Sequence, residues 1–331
     1  HHIISDAGSV GIFMRELVAC YNAFSSGNSP ALSPLPLQYS DFASWQRKWL
    51  SGPRLQAQLD YWRQTLAGAP QVIDLPTDRP RPGSRSFRGA RHSIAVGKET
   101  VDKLKTVARS ANTTLFMTLL TAFQSLLSCL TNTDDLVVGS PTAGRNQPET
   151  EALIGYFANT IILRAQFPGD PTFRESLWRT RATAIAAFAN QDLPFEKLVD
   201  ELKPVRTPSY NPLFQVWFVL QNVQIEREEF RGLSMESIAI DNATTRHDLQ
   251  LTLWESAHGL EGAFTYSTDL FDAETIEGIA EQFKTLVGLV VEQPDIKLSA
   301  LRTAMNKRLS VATEELSRQK LKSARRKVVT R

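Results

Sequence analysis

The nine residues Phe214–Asn222 (FQVWFVLQN) read as apolar on both faces of an extended chain. A strand of that kind cannot lie against water, and it predicts the buried middle of a sheet. Other stretches alternate instead. Arg91 to Val96 does so, as do residues 247–255 and 260–267, while Leu136–Gly139 and Thr160–Phe167 also read as strands. Helical spacing appears between them. Val10, Phe13, Met14, Leu17, Val18, Tyr21 and Phe24 recur every three or four residues, with Ser9 as the expected N-cap. Further helices are expected at 38–50, 54–67, 99–110, 114–130, 172–189, 195–202 and 273–292. The Ser-, Gly- and Pro-rich run 25–36 and the Pro- and Arg-rich run 68–88 read as connections. Strands mixed with helices along one chain give an α/β class, a mixed sheet covered by helices.

The chemistry-bearing residues cluster at the start. His1-His2 is followed by Asp6, Ala7, Gly8 and Ser9. A histidine exchanges a proton near neutral pH, and a nearby carboxylate fixes a tautomer or anchors the local backbone through a cation. Taken alone, His1-His2 is also what an affinity tag leaves behind. Five more segments stand against that. They are Tyr39–Trp45 (YSDFASW), Gly139–Arg145 (GSPTAGR), Ile154–Arg164 (IGYFANTIILR), Asn190–Glu196 (NQDLPFE) and Arg206–Val216 (RTPSYNPLFQV).

In this order the segments resemble the HHxxxDG, YxDFAxW, GxPxAGR, IGxFxNTxxLR, HxNQDxPFE and RxxSxNPLFQV motifs of the condensation domains of nonribosomal peptide synthetases. The resemblance implies a chloramphenicol acetyltransferase-like two-lobed sandwich, with most of the amino-terminal lobe missing. Residues 1–32 would be the end of that lobe, 33–305 the carboxy-terminal lobe and 306–331 a basic tail or linker. The implied activity joins a donor acyl or peptidyl thioester to an acceptor aminoacyl thioester. Both would arrive on phosphopantetheine arms of carrier proteins, beside adenylation or other synthetase domains. The chain itself would hold no cofactor, and by itself it is expected to be inactive. By the same resemblance His2 is the catalytic histidine and His1 a structural one. Asp6 pairs with Arg145 and shapes the site rather than acting as a second base. Asn159, Thr160, Asn211 and Pro212 support the channel, and Asp192–Glu196 caps a short helix. Ala7 stands where the motif has glycine, which puts a backbone N–H of the site in question if that position needs φ > 0. An epimerisation domain shares the histidine motif, but NPLFQV argues against it. A non-catalytic carrier-docking or inactive domain is the third reading.

His247 and His258 have no metal-ligand spacing and read as surface or strand histidines. His247, where the family often has Phe, is a candidate to line the channel. Cys20 and Cys129 sit in helical apolar patterns and read as buried free thiols of a reducing, cytoplasmic setting. Residues 318–331 carry seven Lys/Arg and no acid, so the net charge of +2 hides an acidic body. No basic stripe points to nucleic acid, no apolar run is long enough to span a membrane, and no P-loop, GxSxG or GxGxxG is present.

Overall fold

The computed structural model describes residues 1–221, 229–236, 238 and 240–307. The central feature is a six-stranded mixed sheet of order β1-β6-β5-β4-β2-β3. Its strands are β1 (Gly89–Gly97), β2 (Asp135–Thr142), β3 (Asn159–Gln166), β4 (Val216–Gln221), β5 (Leu249–Ser256) and β6 (Gly259–Ser267). β4 is parallel to both β2 and β5, and the outer pairs are antiparallel.

The expected central strand is thus central, over Val216–Gln221, with Asn222 outside the described residues. It is not covered equally on its two faces. Val216 and Phe218 are fully buried with Leu249, Leu251 and Leu253, whereas Trp217 and Val219 on the other face are half-buried. Apolar character on both faces overstates coverage here because Trp217 is shielded by rings, those of Phe214 and His247, rather than by a helix.

The helices follow from local chemistry. α5 (Leu115–Thr131) is apolar nearly all round, the mark of a helix buried on all sides. Thr114 caps it by accepting from the Met117 N–H, and Asn132 ends it in the left-handed region. α6 (Phe173–Ala189) opens on a reciprocal Thr172–Glu175 capping box. With α4 (Lys98–Ser110) and α8 (Ala273–Glu292) they form a layer on the sheet. α2 (Tyr39–Trp49) and α3 (Gly52–Leu66) precede the sheet, and α3 contacts α7 (Phe195–Leu202). Cys20 and Cys129 are free and half-buried rather than buried, and burial pushes the Cys129 thiol up to about 11.

α1 (Ala7–Ser25) begins two residues before the expected cap. Asp6, not Ser9, is the N-cap, because its carboxylate accepts from the Ser9 N–H. Ile12 and Val18 are buried, but Phe13 is 54% and Phe24 66% exposed. Tyr21, on the same helical spacing, packs on Phe230 at 5.3 Å. Asn22 clasps the same segment, donating to the Glu229 carbonyl and accepting from the Arg231 N–H. Among the described residues no single helix is long and apolar enough to cross a membrane.

The sheet and α5 meet at Phe123, which is fully buried 5.7 Å from the Phe218 ring and 6.3 Å from Phe264. Phe123→Ala should cost ~3–5 kcal/mol of unfolding free energy through lost transfer and a residual cavity. A loss below about 1 kcal/mol in denaturant unfolding would refute this packing.

Candidate functional site

The start of α1 is fixed to the sheet by one carboxylate and one guanidinium. Asp6 is 5% exposed. Its Oδ1 accepts from the Ser9 N–H and hydroxyl, both at 2.8 Å, and from Arg145 Nη2 at 3.1 Å. Its Oδ2 accepts from the Phe157 N–H at 2.9 Å. Burial alone would raise this carboxyl, but the donors from Ser9, Phe157 and Arg145 outweigh it and hold Asp6 below the ordinary carboxylate range. Both oxygens are committed to scaffold, which leaves Asp6 no part as a base.

Arg145 completes the network. Nη1 donates to the Thr150 and Leu153 carbonyls, Nη2 also donates to the Ser9 hydroxyl, and the guanidinium lies 4.2 Å from the centre of the Phe157 ring. Ser9 Oγ further accepts from the Gly155 N–H. Its one proton goes either to Asp6 or to the Gly155 carbonyl, 2.7 Å away. Two glycines make room. A Cβ on Gly8 would stand 2.9 Å from Arg145 Nε. Gly144 sits at φ +64°, and a Cβ there would strike the Phe157 carbonyl. Ala7, by contrast, is exposed and opens the helix on ordinary negative φ, so its methyl meets nothing in the network. The N–H groups of a helix's first turn have no intrahelical partner.

This network holds the histidine loop. His1 is exposed, and its Nδ1 accepts from the Ile3 N–H of its own loop at 3.1 Å. His2 Nδ1 lies 3.0 Å from the Ser5 carbonyl. A carbonyl only accepts, so Nδ1 carries the proton and the neutral ring presents Nε2 as the acceptor. The exposed His2 ring meets Tyr156 edge-on at 5.7 Å. Burial and the Glu196 charge raise the Tyr156 phenol, against the opposing Arg246, so it stays protonated at neutral pH. Beside Tyr156 lies a cavity of about 260 Å³, lined by Tyr39, Phe42, Asn159 and Glu196 among others but not by His2.

The remaining expected residues are supports. Asn159 Nδ2 donates to the Gln191 and Leu193 carbonyls, and its Oδ1 accepts from the Phe195 N–H. It thereby caps α7, which has no capping bond from its own N-terminal segment. Asp192 does not cap; it accepts from Asn146. Thr160 lines the cavity, and Pro212 starts the short turn that places Phe214. Asn211 accepts from Arg85 and donates to the Arg246 carbonyl. His258 is exposed in a turn. His247 is not a surface histidine. It is half-buried and lies flat on Trp217, at 4.9 Å and 4°. Among the described residues no group of His, Cys, Asp or Glu is placed to hold a metal. Phe157 and Glu196 stand at motif positions to which the resemblance assigned no role, and Ser9, Tyr156 and Arg246 escape a reading by motif. Only Ser9, three residues after Asp6, carries a local signal, because an Asx-type cap accepts from that position.

The condensation-domain family model matches residues 1–309. A linear gramicidin synthase polypeptide of Brevibacillus parabrevis is 48% identical over 303 residues, 91% of this chain and 4% of that protein. Malpinin synthetase of Mortierella alpina is 48% identical over 277 residues, 84% of this chain and 4% of its own length. The chain therefore spans only a small part of the curated relatives it matches. Among solved structures, the X-domain from teicoplanin biosynthesis is similar, with a TM-score of 0.83 and 30% identity over 91% of this chain and 70% of that one.

Arg145→Lys should fail to replace arginine, since one ammonium cannot reach acceptors on both sides of the loop. A loss of ~3–5 kcal/mol is expected, as for a broken buried pair, and a melting temperature within a degree of wild type would contradict it. Because the folded-state Asp6 carboxyl is depressed, its stabilisation is complete above about pH 4, the unfolded value, and is lost as pH falls through the folded one. Asp6→Asn should flatten the acid limb of stability against pH; an unchanged limb would rule the linkage out.

Proposed function

Because the chain belongs to the condensation-domain family, we propose that it joins a donor acyl or peptidyl thioester to an acceptor aminoacyl thioester, both borne on carrier proteins in nonribosomal peptide synthesis. The supporting observation is the fixed tautomer of His2 on a loop pinned by Asp6 and Arg145. The amine of the acceptor attacks the thioester carbonyl carbon, forming the C–N bond. His2 Nε2 accepts the hydrogen bond of that amine and takes its proton as charge develops. Collapse breaks the C–S bond, and the proton passes to the departing sulfur. Holding both substrates at one place lowers the barrier further by proximity. In this reading His1 and Asp6 set the backbone of the loop, Gly8 lets the guanidinium pass, and Asn159 and Asn211 hold the walls.

The partners are donor and acceptor carriers with adjoining adenylation or other synthetase domains, in the cytoplasm. The phosphopantetheine arms come with the carriers. Residues 1–32 serve as the end of an amino-terminal lobe, 33–305 as the carboxy-terminal lobe and 306–331 as a basic linker, of which 308–331 lie outside the described residues. Ala7, the departure that would favour a docking-only domain, stands clear of the network on helical backbone, so it gives that reading no support.

The test uses the whole synthetase with two loaded carriers. Wild type should form a dipeptidyl thioester. His2→Ala should lose roughly 10²–10⁴-fold in rate with unchanged melting. α-Deuterium exchange without a new amide would point to epimerisation, and carrier binding with neither product would point to docking alone.

A further inference from the structure

His247 takes no part in the proton transfers above, yet its surroundings fix one property of it. Asn211 Oδ1 accepts from Arg85 Nη1 at 2.6 Å. A guanidinium only donates, so the other arm of the Asn211 amide is its NH₂. That nitrogen donates to the Arg246 carbonyl at 2.6 Å and lies 3.2 Å from His247 Nδ1. Nδ1 must therefore accept, and the proton of the neutral ring is on Nε2. This is the reverse of His2, whose proton is on Nδ1. The ring is held parallel to Trp217 and 5.7 Å from Phe214. Burial, then the charges of Arg85 and Arg246, push its pKa down to about 4. The ring is thus neutral through the physiological range. Among the described residues Nε2–H has no partner, and the residue is only half-buried.

His247 adjoins the site. Its neighbour Arg246 bears on the Tyr156 phenol, and Tyr156 touches His2. Phe214 beneath it packs on Phe195, which lines the cavity, at 5.5 Å. An accessible N–H that is neither charged nor able to take up a proton can only donate to an acceptor. A charged acceptor would be drawn to the Arg246 side chain, whereas a neutral carbonyl oxygen suits the imidazole.

We propose that His247 is a substrate-binding residue whose Nε2–H donates to a carbonyl oxygen, thioester or amide, of a carrier-borne acyl chain. The substrate class rests on the acyl-transfer reading above; the donor itself does not. Two measurements test it. Nitrogen-15 spectra of histidine-labelled protein, which holds five histidines, should show the Nε2–H tautomer for His247. The Nδ1–H tautomer would overturn the proposal. The dissociation constant of an aminoacyl-pantetheine amide, which binds without turnover, should rise roughly three- to tenfold in His247→Phe, the worth of one neutral hydrogen bond. His247→Gln, which keeps a donor, should recover part of the loss. His247→Phe with wild-type melting and wild-type affinity would overturn the proposal. A wild-type synthetase that binds this analogue yet forms no amide would count against acyl transfer and leave the binding role standing.

Discussion

One guanidinium organises the candidate site of this molecule. Arg145 reaches the helix that follows the histidines, the carbonyls of its own loop and the ring of Phe157. Its strength lies in geometry more than in charge. A planar fork with donors on both edges can hold two backbone segments in register, which a point charge cannot. Asp6 is the matching acceptor, and each of its oxygens answers a donor from a different part of the chain. The desolvation cost of burying the pair is offset because the carboxylate's bonds are met on both sides.

Histidine then acquires its role from what surrounds it. His2 and His247 have the same side chain, but a carbonyl faces Nδ1 of one and an amide NH₂ faces Nδ1 of the other. The first ring is left as an acceptor, the second as a donor. Neither tautomer follows from the composition of its motif; each is set by a single neighbouring group.

Much of this was legible in the sequence. The strands and helices lie within a few residues of their expected places because period-2 and period-3.6 patterns are strong in a chain with a large core. The family was visible, and with it the Asp6–Arg145 contact, because short motifs carry their spacing with them. The misses share a cause. The cap of α1 was placed on Ser9, although Asp6 offers the better acceptor. Asp192–Glu196 was read as the cap of a short helix and does supply its N-cap position, Pro194, but the side-chain bond to the first N–H comes from Asn159 at the start of β3. His247 was left open as a surface or strand histidine that could line the channel, because its cover comes from Phe214 and Trp217, and stacking of that kind leaves no periodic trace. Groups that meet only through tertiary contact are silent to local pattern.

The bonds that place His2 close very long loops. Arg145 and Asp6 are 139 residues apart, and Phe157 and Asp6 are 151 apart. Closing such loops is entropically expensive, and nothing rewards it until the intervening sheet exists to hold the far end. Strands β2 and β3, between which Arg145 and Phe157 lie, must therefore be in place before the histidine loop can settle. A chain caught partly folded would have a sheet but no ordered imidazole, so the histidine loop is the last part of the site to take shape.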